Sequence, residues 1–134
     1  NHSYGDPFPY DESRTVGEVL LEPTAIYTDL LDALHDYPVH AAAHVTGGGW
    51  TNLERLGDFR YEVTHPFDAQ PVFDFVRSEG SVSDAEMHRT FNMGTGFVAA
   101  LDPAGATELA DETGGRVIGE VREGESVAIR GLEL

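Results

Sequence analysis

Cysteine and lysine are both missing from this chain of 134 residues. Without cysteine there is no disulfide framework and no thiolate zinc site, which fits a reducing compartment. Without lysine, the positive charge rests on eight arginines against 24 Asp and Glu, a formal net charge of −16 at pH 7. A surface of that sign repels phosphate backbones and argues against nucleic acid as a partner. Long apolar runs are missing too. Val39 to Val45 is interrupted and far short of the ~20 residues of a membrane span, so no membrane partner is expected. No basic, apolar leader is visible. The chain opens on Asn1 rather than Met, and a cut fragment or processed product is expected.

Acidic groups in such excess repel one another at low salt and keep a protein soluble once salt screens them. The charge of −16 and the absence of lysine point the same way, to a host with high internal salt rather than an ordinary Lys-poor acidic protein. What is present describes a folded domain. Apolar residues make up 40% of the chain, too many for a disordered acidic tail. The length suits one core.

Residues 1 to 14 are polar and rich in Pro and Gly and read as an irregular arm, with order beginning near Val16. A helix is expected from Thr28 to Asp36, ended by Pro38. Val39 to Val45 suits a buried strand. Gly47-Gly48-Gly49 follows, then a helix from Trp50 to Leu56 stopped by Gly57. Phe59, Tyr61 and Val63 alternate with polar residues as in a strand. Pro71 opens a helix that Gly80 closes. Ser83 and Glu86 form a capping box before the next helix. Phe97 to Leu101 reads as a buried strand, and Asp102-Pro103 starts a helix ended by Gly114-Gly115. Two strands close the chain, Val117 to Val121 and Val127 to Ile129. The pattern predicts one α/β (α+β layered) domain over 1–134, a mixed sheet packed with helices, with a polar arm at 1–15 and a core at 16–134.

Three segments could carry chemistry. Gly47-Gly48-Gly49, between a strand and a helix start, can aim backbone N–H groups at an anion. A tight turn without a ligand is an equal reading. It is not a Walker P-loop, since the spacing is wrong and no Lys exists. His40 and His44 are four apart, but Ala41 stands where a zinc protease needs Glu, and no third ligand is near. Core-edge histidines outweigh a metal site, so no metal ligand is assigned. His44, two residues before the turn, is placed to help neutralise a phosphate. In Arg89 to Phe97, Asn92 is placed to orient a polar ligand, and Gly94 and Gly96 allow close approach to the backbone. A crowded crossover explains the same residues.

The sequence also resembles a family. His44-Val45-Thr46-Gly47-Gly48-Gly49 is similar to the His-Ile-Thr-Gly-Gly-Gly of aminoimidazole ribonucleotide synthetase, the PurM cyclo-ligase family of purine biosynthesis. Asn52-Leu53-Glu54-Arg55 resembles its Asn-Leu-Pro-Arg. Glu86 to Phe97 resembles its Glu-Met-x-Arg-Thr-Phe-Asn-Met-Gly-x-Gly-Met. Leu21 to Tyr27 and Val117 to Val121 add further matches in order. Trp50 stands where Leu is usual, Glu54 where Pro is, and Ala25 where Arg is. Asn1 loosely matches the Asn of a family His-Ser-Asn-Gly segment, whose His is not carried over to His2.

The resemblance covers only the C-terminal half of such an enzyme. It implies the PurM C-terminal fold, a cytoplasmic setting, and an N-terminal half that binds most of the ATP and Mg2+. It implies a homodimer at full length. It implies ring closure of formylglycinamidine ribonucleotide to aminoimidazole ribonucleotide, with ADP and phosphate as products. His44 is then the catalytic candidate, with Thr46 lining the same cleft. Gly47, Gly48 and Gly49 would cradle a phosphate, with Asn52, Arg55, Asn92 and Gly94 in support. A surface role for Arg55 is nearly as well founded. Another ATP-dependent enzyme of the superfamily, or a non-catalytic domain binding phosphorylated metabolites, is the alternative reading.

Overall fold

The computed structural model describes residues 2–134, so Asn1 and its loose match lie outside the described residues. The expected irregular arm is instead a small hairpin. Strand β1 (Pro7–Phe8) pairs antiparallel with β2 (Asp11–Thr15). The cause is tertiary: Phe8 is buried, and its ring lies 5.4 Å from that of Phe75 on a distant helix. A Pro-rich segment with one well-placed aromatic can be fixed by the surface it lands on.

Helix α1 (Val16–Leu20) follows directly, opened by a reciprocal cap. Thr15 Oγ1 accepts from the Glu18 N–H at 3.2 Å, and Glu18 Oε2 accepts from the Thr15 N–H at 2.7 Å. The helix expected from Thr28 to Asp36 is α2 (Thr28–Leu34), ending two residues earlier. Strand β3 (Ala41–His44) is less buried than expected, since its residues alternate between half-buried and exposed. Among the described residues it pairs with β5 (Phe97–Ala100) alone, antiparallel, as a two-stranded ribbon.

The segment after the glycine triplet is a 3-10 helix, Gly49–Leu56, stopped by Gly57 at φ +145°. Its inward face carries Trp50 and Leu53, which pack with Tyr61, Val63, Val127 and Ile129 as the main core. Full burial of side chains of this size stabilises by about 1.5–3 kcal/mol each. Trp50 is the exception to a clean fit. Its indole Nε1–H is buried without a partner among the described residues, at a cost of about 1–3 kcal/mol.

The main sheet has the order β6-β4-β7-β8. Strand β4 (Arg60–Val63) lies antiparallel to β6 (Gly119–Arg122) and parallel to β7 (Ser126–Ile129). Consecutive strands β6 and β7 therefore flank β4 rather than each other. The short β8 (Leu132–Glu133), which the sequence pattern missed, closes the edge against β7. The remaining helices are α3 (Pro71–Gly80), α4 (Asp84–Thr90) and α5 (Pro103–Thr113). Gly80 does not close α3 as expected. Ser81 takes the left-handed position at φ 50°, and Gly80 stays helical. The box at α4 is half formed. Ser83 accepts from the Glu86 N–H, while the Glu86 carboxylate takes the Thr90 hydroxyl. The mixed α+β layering expected from the sequence is thus the observed fold.

Candidate functional site

Strand β3 ends at His44 and delivers the chain to a turn whose glycines are not equivalent. Gly48 and Gly49 lie at φ +93° and +52°, backbone that side-chain-bearing residues rarely adopt. Gly49 is buried against the end of α4, where a Cβ would overlap the carbonyl oxygens of His88 and Phe91. Gly47 faces open space. A Cβ on Gly48 would stand 3.5 Å from the side chains of Thr51 and Asn52. The triplet therefore has one packing glycine and two that face outward.

The turn's hydrogen bonds run inward. The Gly49 N–H donates to Thr46 O at 2.9 Å. Asn52, nearly fully buried, donates from Nδ2 to Gly47 O at 3.2 Å and to Gly49 O at 2.8 Å. Thr51 caps Gly48 O twice, from its N–H at 3.2 Å and its hydroxyl at 2.7 Å. The N–H groups of Gly47 and Gly48 meet no acceptor among the described residues. Neighbouring free N–H groups can form an anion-binding concavity where they converge.

His44 is exposed at the entrance to this turn. Its ring meets Tyr27 edge-on at 5.4 Å and lies 6.5 Å from Phe97. Thr46 is also exposed. His40 lies just before β3, and four extended residues separate the two histidines by about 13 Å, too far for one metal. His40 Nε2 lies 3.3 Å from Asp102 instead. Among the described residues no group of three or more His, Asp and Glu could hold a metal ion.

Asn92 and Gly94 lie on the second glycine-bearing loop, next to Phe91, whose backbone abuts Gly49. Asn92 Oδ1 accepts from the Gly94 N–H at 3.0 Å and so shapes its own turn. Gly94 admits the carbonyl of Asp68, and Gly96 admits the hydroxyl of Tyr27. Buried Thr95 accepts from the Phe67 N–H at 3.1 Å. Arg55 is exposed and has no carboxylate within ion-pair distance among the described residues. Sequence reasoning singled out neither Thr51 nor Tyr27. Thr51 had a visible signal, a hydroxyl three residues after Gly48. Tyr27 had none, since it reaches Gly96 only through the fold.

The chain's sequence matches a known family over nearly its whole length. Residues 2–131 match the family described as "AIR synthase related protein, C-terminal domain". The chain belongs to that family. Its relatives include the phosphoribosylformylglycinamidine cyclo-ligase of Methanosarcina acetivorans, 46% identical over 122 residues, 91% of this chain and 37% of that protein. The enzyme of the same name from Methanococcoides burtonii is 41% identical over 133 residues, 99% of this chain and 40% of that protein. The chloroplastic enzyme of Arabidopsis thaliana is 36% identical over 97% of this chain and 32% of its own length. The chain thus spans about two-fifths of the first two relatives' length. No helix among the described residues is long and apolar enough to cross a membrane.

Proposed function

We propose that this chain is the C-terminal domain of a phosphoribosylformylglycinamidine cyclo-ligase and supplies its phosphate-holding loop. The observation that carries the reading is the turn at 46–49, where the carbonyls are engaged internally and the N–H groups of exposed Gly47 and Gly48 have no acceptor among the described residues. In the reaction, the γ-phosphoryl of ATP passes to the amide oxygen of formylglycinamidine ribonucleotide, and ADP leaves. The internal nitrogen then attacks the activated carbon, the C–O bond breaks, and phosphate and a proton depart. Such steps depend on positioning and on stabilising phosphate charge. The turn offers fixed donors for that charge. His44 stands at its entrance to hold or release a proton at an imidazole nitrogen. Thr46 lines the same approach, and Arg55 is a cation free to meet an anionic group.

Mg2+, which this chemistry uses to neutralise phosphate charge, finds no ligand cluster among the described residues. The metal and most of the ATP contacts are therefore assigned to an N-terminal half. Leu21 and Ile26, more than 80% exposed, mark an apolar face suited to that half or to the second subunit of a homodimer. A cytoplasmic setting and a salt-rich host accord with the absence of cysteine and lysine and with the charge of −16. The test is a coupled ADP-release assay with formylglycinamidine ribonucleotide. The chain alone should give no turnover, and mixing it with the N-terminal half of an archaeal cyclo-ligase should restore it. Ring closure at ordinary enzyme rates by the chain alone would overturn the domain assignment.

A further inference from the structure

Every carbonyl from Thr46 to Gly49 is tied to this chain's own donors, and side chains supply three of those bonds. Asn52 Nδ2 bridges Gly47 O and Gly49 O, and the Thr51 hydroxyl holds Gly48 O at 2.7 Å. A free glycine turn offers water both donors and acceptors. Here every carbonyl has at least one partner, and the donors of Gly47 and Gly48 have none among the described residues. In a chain of charge −16, untied carbonyls would add to a field that already gathers cations.

We propose that Thr51 and Asn52 are positioning residues that hold the turn's carbonyls on this chain's own donors and leave its free N–H groups available, and so favour an anion over a cation at this site. The inference rests on the phosphate-loop reading above. Neither side chain needs to touch the ligand. Asn52 is buried beneath the turn, and both side chains act through the peptide planes they hold. Rotating the Gly47–Gly48 peptide would turn its N–H inward and its carbonyl outward, and the Asn52 bond to Gly47 O resists that rotation.

The experiment is 15N NMR of the full chain in molar KCl, reading the Gly47 and Gly48 amides while inorganic phosphate is added. Four proteins are compared: wild type, Thr51→Ser, Thr51→Val and Asn52→Asp. Thr51→Ser keeps the hydroxyl, Thr51→Val removes it at nearly constant shape, and Asn52→Asp replaces the bridging donor with an acceptor. Each is first checked for native core shifts, and Asn52→Ala replaces Asn52→Asp if the latter does not fold.

Thr51→Ser should bind as wild type does. Thr51→Val should bind about threefold to tenfold more weakly, and the Asn52 variant more than about tenfold more weakly. In the ligand-free chain, order parameters of the Gly47 and Gly48 amides should fall from ~0.85 toward ~0.6 in the Asn52 variant, with core amides unchanged. A general loss of stability would not be rescued by serine or confined to two amides. The inference is overturned if the Gly47 and Gly48 amides keep wild-type shifts and order in both Thr51→Val and the Asn52 variant. If wild type shows no phosphate response, the phosphate-loop reading fails instead, while the ligand-free order parameters still decide the positioning role.

Discussion

Two glycine-bearing turns lie side by side in this molecule and use glycine for opposite reasons. In the turn at 46–49, Gly47 faces open space and Gly48 makes only ordinary contacts, so absent side chains leave room for something from outside. In the turn at 92–96, the room at Gly94 and Gly96 is already filled, by the Asp68 carbonyl and the Tyr27 hydroxyl. The first turn displays its backbone and the second hides it. Two glycine motifs in the sequence thus carry different kinds of constraint, and substitution should separate them.

The largest effect is expected at the filled turn. Gly94→Ala puts a methyl group onto the Asp68 carbonyl at φ +92°, and the overlap and backbone strain together should cost about 2–4 kcal/mol. Urea unfolding checks it. A loss below 1 kcal/mol would mean the two turns do not differ as described.

Next comes Gly48→Val, whose branched side chain blocks approach to the donors and resists φ +93°. Phosphate affinity, measured by titration calorimetry at high salt, should drop more than about tenfold in a variant that stays folded. Equal binding by wild type and variant would make the open turn a connector only.

Salt sharpens the contrast between contact donors and the overall field. Raising KCl from dilute buffer to molar levels screens the repulsion of a −16 chain. The melting temperature should rise by roughly 5 °C or more, while the Gly47 and Gly48 donors, acting at contact distance, keep their anion. A flat or falling melting curve would remove the salt-rich host from the reading.

Acid should act away from both turns. Bonds from the Thr15 backbone and hydroxyl hold the Glu18 carboxyl below its usual range, and the Arg60 guanidinium does the same for Glu133. Lowered folded values mean that this stabilisation is present above pH ~4.3 and fades as pH falls through the lower folded values. Amide exchange between pH 5 and 3 should loosen α1 and the β7–β8 edge before either glycine turn. The reverse order would show that the turns are the weaker part of the fold.

The smallest effect belongs to Gly47→Ala, where a Cβ meets nothing within 4 Å. Its unfolding free energy should stay within about 0.5 kcal/mol of wild type. A larger loss would mean that the open turn is packed after all.

Local rules made much of this legible in advance. The alternation at Tyr61 and Val63, the Pro71 helix start, the Ser83 cap and the Gly57 stop depend on neighbours a few residues away, and each appears where the sequence put it. What stayed hidden depends on partners distant in sequence. Phe8 needs Phe75, Gly96 needs Tyr27, and Gly94 needs Asp68. The same holds at the site. The triplet and His44 stood out by composition, but whether Asn52 faces a ligand or the turn's own carbonyls is a matter of burial, which spacing does not reveal.

Strand β4 lies between two strands that follow it by more than fifty residues, with Arg60 opposite Ser126 on one side and Arg122 on the other. A ribosome emitting this chain therefore exposes Trp50 and Tyr61 long before their cover exists. Closing that span carries a loop entropy that grows only slowly with length but must be met before any sheet contact rewards it. The nascent chain should remain open to chaperones and to proteases until Ile129 has cleared the exit tunnel, and folding should then complete in one late, cooperative step.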